Sequence, residues 1–262
     1  MIIDTFLFWD ELDLLELRLR ELDGTVDEFI AIQGAETFAG IAQEPSLDLD
    51  APRWALWRGR LRSVVAGRYP EAPCRWTREN AQREAVRPLL DDYPDDALVL
   101  HEDADEIPNA ETVRYWATRM DGRWVGFRLK LFYYYLNLRC MWGWSGIALT
   151  TLGTFRRHGP NYFRDRRKAP DILTAKEVGG WHFSYLGGVA AIQRKLSAWP
   201  HEEFDTPVHR DPVRLADAIV RRRDPFGQRP RVVFHPVELN ELPADVQAHP
   251  DRYRHLLLPE SV

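Results

Sequence analysis

Short apolar runs alternate with amphipathic helical segments over the first 120 residues, and this alternation constrains the fold more than any other feature of the chain. The predicted strands lie at residues 2–7, 28–33, 62–66 and 97–101, and the predicted helices at residues 11–22, 77–90 and 109–120. Thr77 and Asn109 are predicted N-caps, and we expect Pro88 to kink or shorten the middle helix. Strands that alternate with helices favour a mostly parallel sheet with helices on both faces, so the sequence predicts an α/β protein.

The second half of the chain follows a different pattern. Residues 124–138 alternate in the manner of one long, half-buried strand, residues 139–180 give no clear assignment, and residues 180–188 indicate a strand and a turn. Two further helices are predicted, one from the spacing of Val189, Ile192, Leu196 and Trp199, the other from Asp211 before Pro212. Because no linker or repeat interrupts the chain, we expect a single domain over residues 1–262 with an elaborated C-terminal half.

Composition narrows the classes of partner. A net charge of −5, from 35 basic and 40 acidic residues, gives no general attraction to nucleic acid or to an anionic membrane. The two cysteines cannot form a disulfide framework, and no apolar run approaches the ~20 residues that span a bilayer. We therefore expect a cytoplasmic protein without a membrane span, and the excess of arginine over lysine indicates a bacterial source.

The stretch "HEDADEIP" after the fourth predicted strand places several acidic residues close together. Asp103 and Asp105 form a D-x-D pair, whose carboxylates supply hard oxygen ligands to Mg²⁺ or Mn²⁺ while phosphate oxygens fill the remaining positions. A bound cation would also cancel the repulsion between the clustered carboxylates. The alternative is a solvated acidic turn, since D-x-D occurs by chance in many loops. Ligands of α/β sheets bind beyond the carboxyl ends of the strands, which favours the metal site.

Five stretches together resemble glycosyltransferase family 17, best known for β-1,4-mannosyl-glycoprotein 4-β-N-acetylglucosaminyltransferases. They are, in chain order, "DTFLFWDELDLLELRLREL", "WTRENAQRE", "DADEIPNAE", "FYYYLN" and "GWHFSYLGG". The resemblance implies a GT-A-type nucleotide-sugar fold, a UDP-N-acetylglucosamine donor, a divalent metal, a glycan or other sugar-bearing acceptor, and inversion at the anomeric carbon. Residues 1–120 would bind the nucleotide sugar and residues 121–262 the acceptor. The chain departs from the family pattern at Gln33 and Glu36, after the second strand, which puts the donor contacts of that loop in doubt.

The resemblance assigns the metal to Asp103, Asp105 and His182, with Asp103 and His182 also contacting the diphosphate. Glu106 would orient one of the aspartates. Two alternatives remain open: His182 is a buried core histidine among aromatic neighbours, and Glu106 is an acid favoured by the dipole of the helix that follows.

Basic and polar residues on the helix before the acidic strand are candidates for donor binding. Arg78, Gln82 and Arg83 share this helix, and a guanidinium binds phosphate oxygens through two parallel hydrogen bonds. The alternative is a surface helix on which Glu79 pairs with Arg83.

Residues 139–170 combine aromatic and basic side chains, which suit a sugar ring and an acidic acceptor. The side chains concerned are Trp142, Trp144, Tyr162, Arg164, Arg166, Arg167 and Lys168. The alternative is a solvated basic loop that pairs with nearby acids.

An inverting transferase needs a general base for the acceptor hydroxyl. The tract "HEEFDTP" offers Glu203 and Asp205 as catalytic candidates, of which Glu203 best matches an acidic position of the family pattern, with Glu202 and Asp171 as further candidates. The alternative is a solvated acidic loop.

Two rival functions use the same residues. One is a non-catalytic carbohydrate-binding protein on the same fold, which the intact D-x-D pair disfavours. The other is a metal-dependent phosphate-ester hydrolase or nucleotidyltransferase, which the lack of a Walker-type glycine loop or a second ligand cluster disfavours.

Overall fold

The structure is a computed structural model that describes residues 1–120, 123–168, 173–174, 179–228 and 232–259. The N-terminal half contains β1 (Ile2–Leu7), α1 (Leu12–Glu21), β2 (Glu28–Gly34), β3 (Leu61–Ala66), α2 (Arg75–Glu84), β4 (Leu98–Asp103), β5 (Glu106–Pro108) and α3 (Ala110–Ala117). The C-terminal half contains β6 (Val125–Tyr133), β7 (Leu138–Thr151), α4 (Leu152–His158), α5 (Pro160–Arg166), β8 (Leu173–Thr174), β9 (Gly180–Ser184), α6 (Gly188–Ala198), α7 (Pro212–Val220), β10 (His235–Pro236) and α8 (Ala244–Ala248). Short 3-10 helices lie at Pro52–Trp57, Arg87–Leu90, Glu202–Phe204, Leu239–Glu241 and Pro250–Leu256.

Strands from both halves of the chain join one sheet, in the order β3-β2-β1-β4-β7-β6-β9-β5. The first four of these strands are mutually parallel, and β6 and β9 form a further parallel pair. β7 runs antiparallel to both β4 and β6, so it joins the two parallel groups. The predicted α/β class is confirmed, and the mixed, mostly parallel sheet is consistent with a GT-A-like nucleotide-binding fold.

Helices cover both faces of the sheet because the central strands are apolar on both sides. Phe6 and Leu100 face the layer that contains α1, where they pack with Leu15, Leu19, Trp54 and Trp57. Ile3 and Val99, which alternate with them along the strands, face the layer of α4 and α5 and pack with Phe155 and Phe163.

Most of the predicted elements are present, with two errors. Thr77 is not an N-cap, because α2 begins two residues earlier, at Arg75, with Cys74 in the N-cap position. Asn109 caps α3 by accepting a hydrogen bond from the backbone N–H of Thr112, and α2 ends before Pro88, as predicted. The prediction of one long strand over residues 124–138 is wrong. Residues 134–137 form a turn between β6 and β7, with Tyr134 at a φ of 66°, which the run of apolar residues in "FYYYLNL" conceals.

Candidate functional site

A cavity of about 620 Å³ opens at the carboxyl ends of the parallel strands. Its wall includes Trp9 beyond β1, Glu36 beyond β2, Asp103 and Asp105 at the end of β4, and Tyr185 beyond β9. Open α/β sheets bind ligands at this edge, and 620 Å³ lies within the ~300–1,000 Å³ of ordinary ligand pockets. The predicted location of the site is therefore the location of the cavity.

Every carboxylate oxygen of the D-x-D pair has a basic or imidazole partner. In Asp103, Oδ1 accepts a hydrogen bond from Arg83 and Oδ2 one from Arg164, each at 2.5 Å. In Asp105, Oδ2 accepts one from Lys195 at 2.8 Å, and Oδ1 lies 3.5 Å from Nε2 of His182. These partners come from α2, α5, α6 and β9, four elements that are distant in sequence. The cluster is therefore held by tertiary contacts that local sequence does not show.

The partners also keep both aspartates ionised. Burial raises the pKa of Asp103, but Arg164 and Arg83 outweigh burial and lower it to about 2. For Asp105, Lys195 and His182 likewise overcome the effect of burial and hold the pKa well below its usual range. Both side chains therefore carry negative charge at neutral pH and are available to a cation.

Arg18, on α1, holds the backbone of the D-x-D loop from the core side. Its guanidinium is fully buried, is 2.6 Å from Asp4, and also contacts Glu102. It donates to the carbonyl oxygen of Glu106 at 2.8 Å. Two backbone hydrogen bonds also hold the loop. The N–H of Ala104 donates to the carbonyl oxygen of Leu7 in β1, and the N–H of Phe183 in β9 donates to the carbonyl oxygen of Asp105. Glu102 is thus a structural acid that faces the core, although it adjoins the pair that faces the cavity.

Glu106 is buried and reaches Asp103 through Arg164. Its Oε1 accepts hydrogen bonds from Nε1 of Trp144 at 2.5 Å and from Arg164 at 2.9 Å. A Cβ at Gly146 would lie 2.5 Å from this carboxylate, so β7 needs a glycine where it passes Glu106. The carboxylate therefore orients Arg164, which in turn pairs with Asp103.

The three predicted donor-binding residues of α2 have different surroundings. Arg83 is fully buried and pairs with both Glu79 and Asp103, so the predicted Glu79–Arg83 pair and the contact with the acidic loop coexist. Gln82 lines the cavity while its amide donates to the carbonyl oxygen of Ile32. Arg78 instead pairs with Glu36 and lines a separate small pocket behind β2.

His182 is buried beside the D-x-D pair and lines the cavity. Its ring lies 4.6 Å from that of Trp144, and its Nδ1 has no hydrogen-bond partner in the part of the chain that the structure describes. The predicted metal residues Asp103, Asp105 and His182 are thus neighbours.

The chemistry of these donors fits a divalent cation whose remaining ligands come from the substrate. The described residues contain no group of three or more His, Cys, Asp or Glu side chains arranged to hold a metal ion. Mg²⁺ is usually bound through one or two carboxylates together with substrate phosphates, which agrees with a pair of donors. Binding there would displace basic side chains that now occupy the carboxylate oxygens.

The basic and aromatic residues predicted to bind the acceptor divide into two groups. Trp144, Arg164, Arg167 and Lys168 line the cavity. Tyr162 instead stacks on His158 and meets Phe163 edge-on, where α4 meets α5, and Arg166 lies over its ring. Trp142 is largely exposed and is not part of the cavity wall.

The acidic tract at residues 201–205 lies at the rim, and its predicted catalytic carboxylates are not in the cavity wall. Glu203 is half exposed and pairs with Nδ1 of His201 at 2.7 Å. Asp205 is paired with Arg75 and Arg210. Asp171 lies outside the described residues. The role of Glu203 and Asp205 as general base stays a prediction.

Two features of the cavity escaped the sequence analysis. Lys195 contacts Asp105, and it is one of only four lysines in an arginine-rich chain, on the helix that follows "GWHFSYLGG". That scarcity and position were the available signals. The second feature is an aromatic wall of the cavity, formed by Trp76, Trp199, Phe204 and Phe226, which come from separate elements.

Comparison with known proteins gives one decisive match. The profile of glycosyltransferase family 17 matches residues 1–260, essentially the whole chain. No curated protein matches. Among solved structures, a 2-C-methyl-D-erythritol 4-phosphate cytidylyltransferase from Francisella tularensis is similar at 10% identity and a TM-score of 0.34, over 66% of this chain and 82% of that one.

The described part of the chain contains no helix that is both long and apolar enough to cross a membrane. The full-length profile match agrees with the sheet, with the cavity at its carboxyl edge, and with the D-x-D pair in that cavity. The chain therefore belongs to glycosyltransferase family 17 and is a glycosyltransferase.

Proposed function

We propose that this protein transfers N-acetylglucosamine from UDP-N-acetylglucosamine, with inversion, to a hydroxyl group of a glycan or another sugar-bearing acceptor. One observation carries the proposal: an ionised D-x-D pair, surrounded by three basic side chains, lies at the carboxyl edge of the sheet in the wall of a ligand-sized cavity. A diphosphate needs both metal-binding carboxylates and positive groups, and this network provides them together. The uridine and N-acetylglucosamine parts follow from the family resemblance.

Charge balance supports a divalent cation as part of the donor site. Within the D-x-D network three basic side chains, those of Arg83, Arg164 and Lys195, pair with five carboxylates, those of Glu11, Glu79, Asp103, Asp105 and Glu106. A diphosphate that enters this network adds further negative charge, which a divalent cation would offset. Mg²⁺ or Mn²⁺ held by the carboxylates of Asp103 and Asp105, with His182 beside them, would stabilise the charge on the departing diphosphate.

The basic side chains have a second use once a cation takes the carboxylates. Arg164 and Lys195 each bond one D-x-D oxygen, and both side chains line the cavity. A short rotation would direct them towards phosphate oxygens, which a guanidinium binds through two parallel hydrogen bonds and an ammonium binds as a point charge. Arg83 is fully buried between Glu79 and Asp103, so it holds the aspartate in place.

The ends of β1 and β2 suit the nucleoside. Trp9 and Phe38 line the cavity there, and Nε1 of Trp9 donates to the side chain of Gln43 at 2.8 Å, which fixes the indole. Aromatic faces stack on a nucleobase, and fixed polar groups set its orientation. The aromatic wall of Trp76, Trp199, Phe204 and Phe226 is then left for the acceptor.

A thermal-shift panel tests the proposal. UDP and UDP-N-acetylglucosamine should raise the melting temperature when Mn²⁺ is present, whereas GDP-mannose should not. A ligand at a hundredfold excess over its Kd stabilises the folded state by about 2.7 kcal/mol, which is readily measured. An equal shift in a metal chelator would remove the cation from the proposal, and a larger shift with GDP-mannose would overturn the uridine assignment.

A further inference from the structure

His201 is the one member of the tract at residues 201–205, apart from Phe204, that lines the cavity. Its Nδ1 lies 2.7 Å from Oε1 of Glu203. Its Nε2 has no hydrogen-bond partner in the part of the chain that the structure describes. Glu203 itself lies outside the cavity wall, so its carboxylate reaches the cavity only through this imidazole.

Three aromatic rings hold the imidazole in place. The ring of His201 lies 4.3 Å from that of Trp199, 4.7 Å from that of Trp76 and 5.9 Å from that of Phe204. A side chain locked by packing and by a supporting hydrogen bond is preorganised for proton transfer. Slight burial raises the pKa of Glu203, but the hydrogen bond from His201 outweighs burial and lowers it, so the carboxylate stays ionised.

The position of His201 relative to the D-x-D pair follows from α6. Lys195 bonds Asp105, and the ring of Trp199 contacts that of His201, while the N–H of Trp199 donates to the carbonyl oxygen of Lys195. These two residues are one helical turn apart, about 6 Å along the axis. The imidazole therefore lies one turn beyond the diphosphate-binding end, beside the aromatic wall assigned to the acceptor.

We propose that His201 is the general base for the acceptor hydroxyl and that Glu203 positions it; this inference rests on the proposed function. Nε2 of His201 takes the hydroxyl proton as the acceptor oxygen forms a bond to the anomeric carbon. The bond from that carbon to the phosphate oxygen breaks, and its electron pair leaves with UDP. Glu203 accepts the Nδ1–H bond, selects the reactive tautomer and stabilises the imidazolium, which later returns its proton to solvent.

Other charged groups near His201 are already engaged. Arg75, next to Trp76 at the start of α2, pairs with Asp205, and so does Arg210. His209 bonds the hydroxyl of Thr206. The titratable groups on the elements around His201 include Cys74, Arg75, Lys195, Glu202, Glu203, Asp205, His209, Arg210 and Asp224. Of these, Glu203 is the one bonded to the imidazole.

Donor hydrolysis is the direct test, because water replaces the acceptor hydroxyl when no sugar acceptor is present. Release of UDP from UDP-N-acetylglucosamine, with Mn²⁺, should slow by about 10²–10⁴-fold in His201→Ala and by about 10²-fold in Glu203→Gln. Glu203→Asp keeps a carboxylate and should recover most of the loss. Donor affinity should stay within twofold in every variant, which also confirms folding. His209→Ala, which changes a histidine outside the cavity wall, is the matched control and should keep the wild-type rate.

The pH profile separates a base from a structural role. The rate of wild-type hydrolysis should fall at acidic pH, and this acidic limb should vanish in His201→Ala. If the wild-type protein is active and the variants at His201 and Glu203 keep its rate and pH profile, the roles proposed for these two residues are overturned, but the proposed function is not. A wild-type protein that binds no donor, or releases no UDP with water or with a panel of simple glycosides, would overturn both the proposed function and the roles of His201 and Glu203.

Discussion

Two acidic tracts in this chain begin with the same dipeptide and end in different environments. "HEDADE" at residues 101–106 closes a buried strand, and its carboxylates are bound by basic side chains from four distant elements. "HEEFD" at residues 201–205 forms a 3-10 turn at the cavity rim, where Glu203 is half exposed and bonds its own neighbour His201. Both tracts are rich in carboxylates, so they differ in the side chains that the fold places around those carboxylates.

The comparison assigns the carboxylates to separate tasks. In the first tract Glu102 faces the core and pairs with Arg18, while Asp103 and Asp105 face the cavity. In the second tract it is the histidine that faces the cavity, and the glutamate stands behind it. A charge run is therefore functional where its members are held by partners and directed at a ligand-sized space.

The largest effect we expect comes from the core side of the first tract. Arg18→Met leaves the carboxylates of Asp4 and Glu102 buried without their cation, which should lower the free energy of unfolding by about 3–5 kcal/mol. Urea unfolding measures the change. Arg20→Met, which removes a partly exposed partner of Glu16 on the same helix, should cost no more than ~1 kcal/mol. Equal losses in the two variants would show that burial of the first tract is not what distinguishes it.

The cavity side should show a catalytic rather than a stability effect. Asp105→Asn removes the charge that Lys195 and His182 face, and should slow UDP release from UDP-N-acetylglucosamine by about 10²–10³-fold, the range typical of removing one group that stabilises transition-state charge. Asp217→Asn, on the exposed face of α7, is the control and should have the wild-type rate. A rate within threefold of wild type in Asp105→Asn would contradict the assignment.

Acid should lower the stability of the folded protein by protonating Asp103 in the first tract. Its pKa in the folded protein, about 2, is below its ordinary value, so it contributes stability that is fully present above about pH 4 and is lost as the pH falls towards 2. After allowance for the 25% of the side chain that is exposed, we expect this contribution of Asp103 to the free energy of unfolding to be roughly 2 kcal/mol. Asp103→Asn should therefore show a flatter dependence of unfolding free energy on pH over this range. Parallel curves would show that the ion pairs do not stabilise the fold.

The smallest effect concerns the exchange of partners at Asp105. Lys195→Gln removes a cation that competes with a metal for this carboxylate and that would bind the diphosphate. Mn²⁺ alone should bind more tightly, as followed by its paramagnetic resonance signal, while UDP with Mn²⁺ should bind about tenfold more weakly. Lys130→Gln, which breaks a pair with Glu241 elsewhere, should change neither. Weaker binding of both ligands would mean that Lys195 does not exchange partners.

The sequence correctly predicted the elements whose signals lie in neighbouring residues. The apolar runs and the Asn109 cap predicted the strands and α3, and the position of Asp103 and Asp105 after an apolar run predicted the edge of the sheet at which they lie. It missed Lys195 and the aromatic wall, because helix spacing shows which residues share a face and not which element that face will meet. It also continued β6 through the turn to residue 138 and left β7 unassigned, since a turn with Tyr134 in the left-handed region is built from residues typical of strands.

Calorimetric titration of UDP, in the presence of Mn²⁺, into Asp103→Asn and Glu203→Gln tests the central claim most directly. The claim is that the first tract holds the donor diphosphate and that the second acts on the acceptor. Asp103→Asn should abolish measurable UDP binding, and Glu203→Gln should bind UDP with the affinity of the wild-type protein. Unchanged affinity in Asp103→Asn, or loss of affinity in Glu203→Gln alone, would contradict the account.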